Sequence, residues 1–212
     1  MLRHYSLDPS HSEKIRAFYF QLIQEAGHDP GGRDFLKRAR RLSYEETNAQ
    51  AILVDALEHN LSVTSVSISA DYSNYLIWNG PSIEIPKRTV ELIRGQPPPV
   101  RDSLLPLPLL RLGASYFRLG NYPKAIEASK EAMDRYETLG QLNGAAKALL
   151  QLAEIHCLHH EYTRSVQLYF SVHERFKEME DSRSMAACLR GIGVAGLESH
   201  TSRSIVTQMQ RK

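Results

Sequence analysis

The chain has little of what marks a secreted or membrane-spanning protein. Its 212 residues contain two cysteines, too few for the disulfide framework of a small secreted scaffold. No stretch approaches the roughly 18 uninterrupted apolar residues of a membrane span, and residues 1–5 lack the apolar run of a signal peptide. We therefore expect a reducing, cytoplasmic environment and no membrane partner.

The chain also lacks a large charge of either sign. Lys and Arg total 26 and Asp and Glu total 24, for a net charge of +2. A protein that coats nucleic acid usually shows a larger basic excess or a one-faced basic stripe, so the composition does not predict a nucleic-acid partner. Twelve glycines and ten prolines exclude collagen-like and low-complexity classes. The hydrophobic share of 42% is enough to build a core.

A proline run predicts the main division of the chain. Pro97, Pro98 and Pro99 fix φ and remove three amide donors, so we expect a stiff, extended connector over residues 96–101. It would separate a mostly helical N-terminal region, residues 1–95, from repeats over residues 102–198. Residues 199–212 read as a basic tail, since Arg203, Arg211 and Lys212 have no acidic residue among them.

A forty-residue repeat runs through the C-terminal half. A shift of the chain by forty residues superposes apolar, small and aromatic residues without a gap. The matched sets include Leu109, Leu149 and Leu189; Leu112, Leu152 and Ile192; Gly113, Ala153 and Gly193; Tyr122 and Tyr162; Ile126 and Val166; Tyr136 and Phe176. Within each unit the apolar residues recur three and four positions apart, which predicts one stripe on a helix.

The first unit resembles the tetratricopeptide repeat. Leu112-Gly113-x-x-Tyr116, Gly120-x-Tyr122-x-x-Ala125 and Ala132 carry the large, small and aromatic spacing of that family. The period is longer than the usual thirty-four or so and is similar to the family's extended variety. The resemblance covers roughly residues 102–198 and implies an all-α solenoid of stacked antiparallel hairpins. It implies five helices, with breaks near Gly120, Gly140, His160 and Asp181, and tight helix contacts at the small residues, including Gly113, Ala153 and Gly193.

The second unit departs from the pattern, with His156 at an aromatic position and Ser165 at a small one. Two full hairpins and one further helix are visible, whereas a stable stack usually needs about three units. We therefore expect the exposed ends to be covered by the N-terminal half or the tail, or to mediate self-association.

The N-terminal half gives a weaker pattern. Ser10 or Ser12 can cap a helix that runs to about Ala26, with Ile15, Phe18, Leu22 and Ile23 on one face. A second helix is expected over residues 33–42, and Ser43-x-x-Glu46 predicts a capping box at the start of a third. Residues 63–68 could form a strand. We favour a degenerate helical hairpin over residues 65–94, with Tyr75 and Trp78 in its core.

Several motifs resemble catalytic or ligand-binding sites but lack the features that such sites require. Gly191-Ile192-Gly193-Val194-Ala195-Gly196 matches the dinucleotide pattern, but no strand is expected before it. His156, Cys157, His159 and His160 lack the paired spacing of a structural zinc site. Cys157 with His160 forms no oriented catalytic group. We therefore expect no enzyme activity, no cofactor and no metal.

One basic cluster stands apart in the N-terminal half. Lys37, Arg38, Arg40 and Arg41 suit a solvated helix face, a nuclear localisation signal or a patch for an acidic partner. The following Ser43 completes a motif of the kind that basophilic kinases modify. A phosphate on it would be favourable if Ser43 began a helix.

The function that this resemblance implies is that of a non-enzymatic adaptor or scaffold. Its concave groove, lined by the first helix of each hairpin, would bind a partner peptide or helix. The residues expected to line that groove are Leu110, Ala114, Arg118, Lys147, Leu150, Gln151, Glu154 and Arg190. Three of the four charges are basic, which suits an acidic partner. The Lys/Asn carboxylate clamp of chaperone-binding relatives is absent, because Leu110, Ala114 and Leu150 occupy its positions.

A second hypothesis is a regulatory or sensor protein. Its repeats would bind a ligand and switch an N-terminal effector module, as in bacterial regulators with the same repeats. A helix-turn-helix within residues 10–60, contacting DNA, would support this reading.

Overall fold

A computed structural model describes residues 9–27 and 33–198, and these form helices with no β-strand among them. The all-α class is thus confirmed for the described residues. The chain divides into an N-terminal unit, Met1–Pro97, and a C-terminal unit, Pro98–Lys212. The predicted basic tail, residues 199–212, lies outside the described residues. The helices of the N-terminal unit are α1 (Pro9–Gly27), α2 (Phe35–Tyr44), α3 (Glu46–His59), α4 (Val63–Asn79) and α5 (Glu84–Arg94).

Helix α4 is the centre of the N-terminal unit and contacts α1, α3 and α5. Ten of its 17 residues are buried, as expected for a helix that is enclosed by others. The rings of Tyr72 and Tyr75 stack at 5.9 Å and are fully buried. Their hydroxyls donate hydrogen bonds to Gln50 and Glu46 of α3. Burial raises the pKa of both phenols, so they remain neutral donors.

Helices α4 and α5 occupy the region where we predicted a degenerate hairpin, and the alternative of a strand is wrong. The two helices are joined by the buried hydroxyls of Ser69 and Thr89, 2.6 Å apart. Tyr75 is buried as predicted, but Trp78 is 55% exposed and is not a core residue. Trp78 lies in the last turn of α4, where the helix reaches the protein surface.

The predicted start of the third helix is wrong in detail. Helix α3 begins at Glu46, and its N-cap residue, Glu45, makes no side-chain capping bond. Ser43 instead lies in the last turn of α2, where its hydroxyl donates to the carbonyl of Arg40. A phosphate there would face a helix C-terminus, which disfavours negative charge. The capping box that does form joins Ser62 and Ser65 at the start of α4.

Helices α1 and α4 approach each other closely at Gly27. The amide of Asn74 donates to the carbonyl of Gly27, and a Cβ on Gly27 would collide with the backbone of Asp71. On α1, Leu22 and Ile23 are buried as predicted, whereas Phe18 is 48% exposed. The absence of a side chain at Gly27 therefore sets how near these helices lie.

The extended connector expected over residues 96–101 is also wrong. Helix α6 (Pro98–Leu104) begins inside the proline run. Prolines are tolerated in the first turn of a helix, since the amides there have no intrahelical acceptor. The prolines therefore start a helix here instead of excluding one.

The remaining helices of the C-terminal unit repeat at a fixed interval. They are α7 (Pro106–Arg118), α8 (Tyr122–Thr138), α9 (Leu142–Leu158), α10 (Tyr162–Glu178) and α11 (Ser182–Glu198). Each packs chiefly on the helix before and after it, and three-residue turns make neighbours antiparallel. The five predicted helices and their breaks are thus confirmed.

Each turn of the repeat uses the same hydrogen bonds. At the first turn the amide of Asn121 donates to the carbonyl of Tyr116, and the amide of Gly120 to that of Phe117. This is the Schellman arrangement, which needs a left-handed residue. Gly120 and Gly140 supply it at φ of 74° and 67°, whereas His160 and Glu180 adopt φ of 62° and 55°. The last two turns therefore carry strain that glycine would avoid.

The small residues of the repeat behave as predicted at two of three positions. A Cβ on Gly113 would lie 2.6 Å from both Gln151 Nε2 and Ser129 Oγ. Ala153 is fully buried and its carbonyl accepts a bond from Ser165. Gly193, however, faces open space, and its expected packing role is wrong. Within the described residues no helix follows α11, so nothing packs on that position.

The open side of α11 is apolar. Leu189 and Leu197 are 56% and 84% exposed. Their equivalents one repeat earlier, Leu149 and Cys157, are buried in a cluster with residues of α10. The described residues therefore end with a helix face that the repeat elsewhere covers.

Candidate partner-binding site

The groove side of α7 and α9 contains a cleft of about 410 Å³. The structure brings together there five of the eight residues predicted from the sequence: Leu110, Lys147, Leu150, Gln151 and Glu154. Leu110 and Leu150 hold equivalent repeat positions, which is why both reach the same surface.

The other three predicted residues do not line this cleft. Ala114 lies one turn beyond Leu110 on α7, and Arg118 is the exposed last residue of that helix. Arg190 lies on α11. It is the ninth residue of that helix, whereas Lys147 is the sixth residue of α9, so the two do not hold equivalent places in their helices.

The cleft also contains residues that the sequence reasoning missed. They are Leu107, Arg111, Tyr136, Asn143 and Gly144. Four of them lie within a turn of predicted residues on the same two helices, so extending the helical stripe by one turn would have found them. Tyr136 comes from α8, and no periodic signal in the sequence distinguishes it as a cleft residue.

Tyr136 reaches the cleft because Gly144 has no side chain. A Cβ on Gly144 would overlap the Tyr136 ring. Burial raises the pKa of Tyr136 to about 12, against the opposing effect of the Arg111 guanidinium. The phenol is therefore neutral at physiological pH and can donate or accept a hydrogen bond.

Gln151 has a structural task besides its place in the cleft. Its amide nitrogen donates to the carbonyl of Leu110 at 3.2 Å and to Ser129 Oγ at 2.8 Å. The Ser129 hydroxyl in turn donates to the carbonyl of Ala125. Gln151 thus ties α7, α8 and α9 together, and only its carbonyl oxygen remains for a ligand.

The charges of the cleft favour an anion. Burial raises the pKa of Glu154, while nearby Arg190 opposes that shift, so the negative charge of Glu154 is disfavoured. Lys147 is exposed and interacts electrostatically with Asp181 at the start of α11. Arg111 and Lys147 therefore leave the cleft basic above an apolar floor of leucines.

The remaining sequence motifs do not assemble into a reactive site in the described residues. His156 is buried, and its Nδ1 lies 2.9 Å from Glu161 Oε2. The glycine pattern of residues 191–196 lies inside α11, where it cannot form a strand-to-helix phosphate loop. Helices α2 and α3 are separated by Glu45 alone, shorter than a helix-turn-helix turn. Over residues 9–27 and 33–198, no cluster of metal-binding side chains occurs.

The comparison with protein families agrees with this geometry. The family model described as tetratricopeptide repeat matches residues 105–178, about a third of the chain. The resemblance to this family that the sequence predicts is thereby confirmed over residues 105–178. No curated protein matches the chain significantly. None of the described helices has both the length and the apolar character needed to cross a bilayer.

Proposed function

We propose that the C-terminal unit is a protein-binding adaptor whose partner lies in the cleft between α7 and α9. Tetratricopeptide repeats generally mediate protein–protein interaction. The observation that supports this use here is the combination in one cleft of exposed Lys147 and partly buried Arg111 with leucine side chains, on helices fixed by Gln151.

The partner segment is acidic and carries at least one apolar anchor. Leu107, Leu110 and Leu150 supply an apolar floor, and Arg111 and Lys147 border it from opposite helices. An apolar side chain buried on such a floor supplies most of the affinity, while the charges set specificity and orientation.

The test begins with proximity labelling by the full chain and by a Lys147→Glu/Arg190→Glu variant. Both side chains are exposed, so the variant should keep the fold. Each charge alone contributes about 0–1 kcal/mol. Arg190 lies outside the cleft but interacts electrostatically with Glu154 in its lining, so reversal of both charges replaces attraction by repulsion there. We expect acidic partners to be lost from the variant, with an unchanged circular-dichroism melt.

The matched control is Lys124→Glu/Lys130→Glu, which reverses two exposed lysines on α8 outside the cleft. It should retain the partners that the groove variant loses. If both variants capture the same proteins as the native chain, the functional surface lies elsewhere.

A further inference from the structure

The basic cluster of the N-terminal unit forms a one-faced stripe on α2. Lys37 is three and four residues before Arg40 and Arg41, and Tyr44 is four and three residues after them, so all four share one side of the helix. All four are exposed, and Tyr44 is 82% accessible. We call these four residues the α2 stripe. The opposite side of α2 is buried through Ala39 and Leu42.

The cations of α2 are poorly neutralised. Within the described residues, Lys37, Arg38 and Arg40 have no ion-pair partner, and Arg38 Nε is buried without a hydrogen bond. Arg41 lies 3.4 Å from Glu25. The adjoining cleft, of about 590 Å³, is lined by four of these cations and by two acids, Glu25 and Asp34. An excess of positive potential therefore remains at this surface.

The exposed tyrosine narrows the class of anion. A flat aromatic ring among cations is the arrangement that binds single strands, where bases stack on the ring and cations track the phosphates. A membrane is a poor fit, because Ala39 and Leu42 of α2 are buried in the unit and the exposed Leu36 and Tyr44 are too little apolar surface to hold the helix in a bilayer. An acidic peptide would use the cations but would leave Tyr44 without a specific role.

We propose that the α2 stripe binds single-stranded nucleic acid. Lys37, Arg40 and Arg41 contact the phosphates, and Tyr44 stacks on a base. The net charge of +2 did not predict this partner, because composition averages over the chain and conceals a local stripe.

The test is fluorescence anisotropy of labelled oligo(dT), about twelve nucleotides long, with the full chain at several salt concentrations. Three phosphate contacts predict a slope of log K against log salt of about −2, from about 0.7 for each contact. Lys37→Gln/Arg40→Gln should reduce the steepness of that slope by about 1.4. Tyr44→Ala should weaken binding roughly fivefold or more and leave the slope unchanged.

The matched control is Lys124→Gln/Lys130→Gln on α8, which should bind oligo(dT) like the native chain. Circular-dichroism melts verify that each variant folds. The proposal is overturned if the control weakens binding as much as the α2 variant, or if Tyr44→Ala has no effect. It is also overturned if polyglutamate competes as well as oligo(dT) per unit charge, which would assign the stripe to an acidic protein.

Discussion

In the N-terminal unit α4 is enclosed by α3 and α5, its neighbours in the sequence, and by α1, its main neighbour, from which α2 and α3 separate it. In the C-terminal unit each helix from α7 to α11 packs on its sequence neighbours. The first arrangement makes the unit depend on one helix, whereas the second divides stability among local contacts, as in other solenoids. Both units are built from α-helices, but we therefore expect them to respond differently to destabilising substitutions.

Proline substitutions at the fifth residue of α4 and of α11 should give the largest difference between the two units. Ser67→Pro and Ala186→Pro each alter the fifth residue of a helix, α4 and α11 respectively. Each should cost about 3 kcal/mol or more at its own helix, through a lost hydrogen bond and a clash. In hydrogen exchange, Ser67→Pro should remove protection from α1, α3 and α5 together, while Ala186→Pro should leave α7 and α8 protected. If Ala186→Pro also removed protection from α7 and α8, the two units would respond alike and the comparison would fail.

A glycine in the N-terminal unit gives the next largest effect. In Gly27→Ala the new Cβ meets the backbone of Asp71, which cannot rotate away, so α1 and α4 must separate. We expect destabilisation of about 3 kcal/mol, the upper end of overpacking costs, measured by urea unfolding. A loss of less than about 1 kcal/mol in the free energy of unfolding, on the order of a surface substitution, would show that α1 and α4 can separate at little cost.

The C-terminal unit offers a matched pair of glycines two repeats apart. Gly113→Leu should cost about 1–3 kcal/mol, because the side chain displaces Gln151 and Ser129. Gly193→Leu meets open space and should be neutral or stabilising, since leucine favours helix by up to about 1 kcal/mol. Thermal melts of both variants provide the comparison. A penalty at Gly193 equal to that at Gly113 would mean that a helix covers α11.

Mild acid gives the smallest expected effect and should act on the C-terminal unit. Burial, with help from Arg164, lowers the pKa of His156. The unfolded chain then takes up a proton near pH 6.5 while folded His156 stays neutral, so its contribution is complete above that pH and falls as the pH decreases. Hydrogen exchange between pH 7 and 5.5 should show loosening of α9 and α10 before α4. His156→Gln should flatten that dependence; an unchanged profile would contradict the assignment.

The sequence predicts the repeat well because close helix packing requires small residues at fixed positions. Gly113 and Ala153 occupy places where neighbouring helices nearly touch, so their forty-residue spacing reports three-dimensional packing. The same register predicted five of the residues that line the cleft. Gly193 shows where this inference fails: it holds the same repeat position as Gly113, but no neighbouring helix packs against it among the described residues.

The features that the sequence did not predict depend on contacts between helices, which leave no periodic pattern in the sequence. Tyr136 enters the cleft because Gly144 leaves room for its ring, a relation between two helices that no single-helix pattern contains. Trp78 was predicted in the core of the hairpin, but its position near the end of α4 exposes it. In the N-terminal unit the pairing of α1 with α4 joins segments separated by two helices, so no local pattern marks it.

The most direct test of the proposed function is hydrogen exchange of the full chain with and without an acidic partner obtained from the labelling experiment. Binding in the cleft should slow exchange in α7 and α9, around residues 107–111 and 143–154, and leave α3 and the outer side of α10 unchanged. Lys147→Glu/Arg190→Glu should abolish this protection. Protection confined to the N-terminal unit, or to the open side of α11, would contradict the assignment of the groove as the partner-binding site.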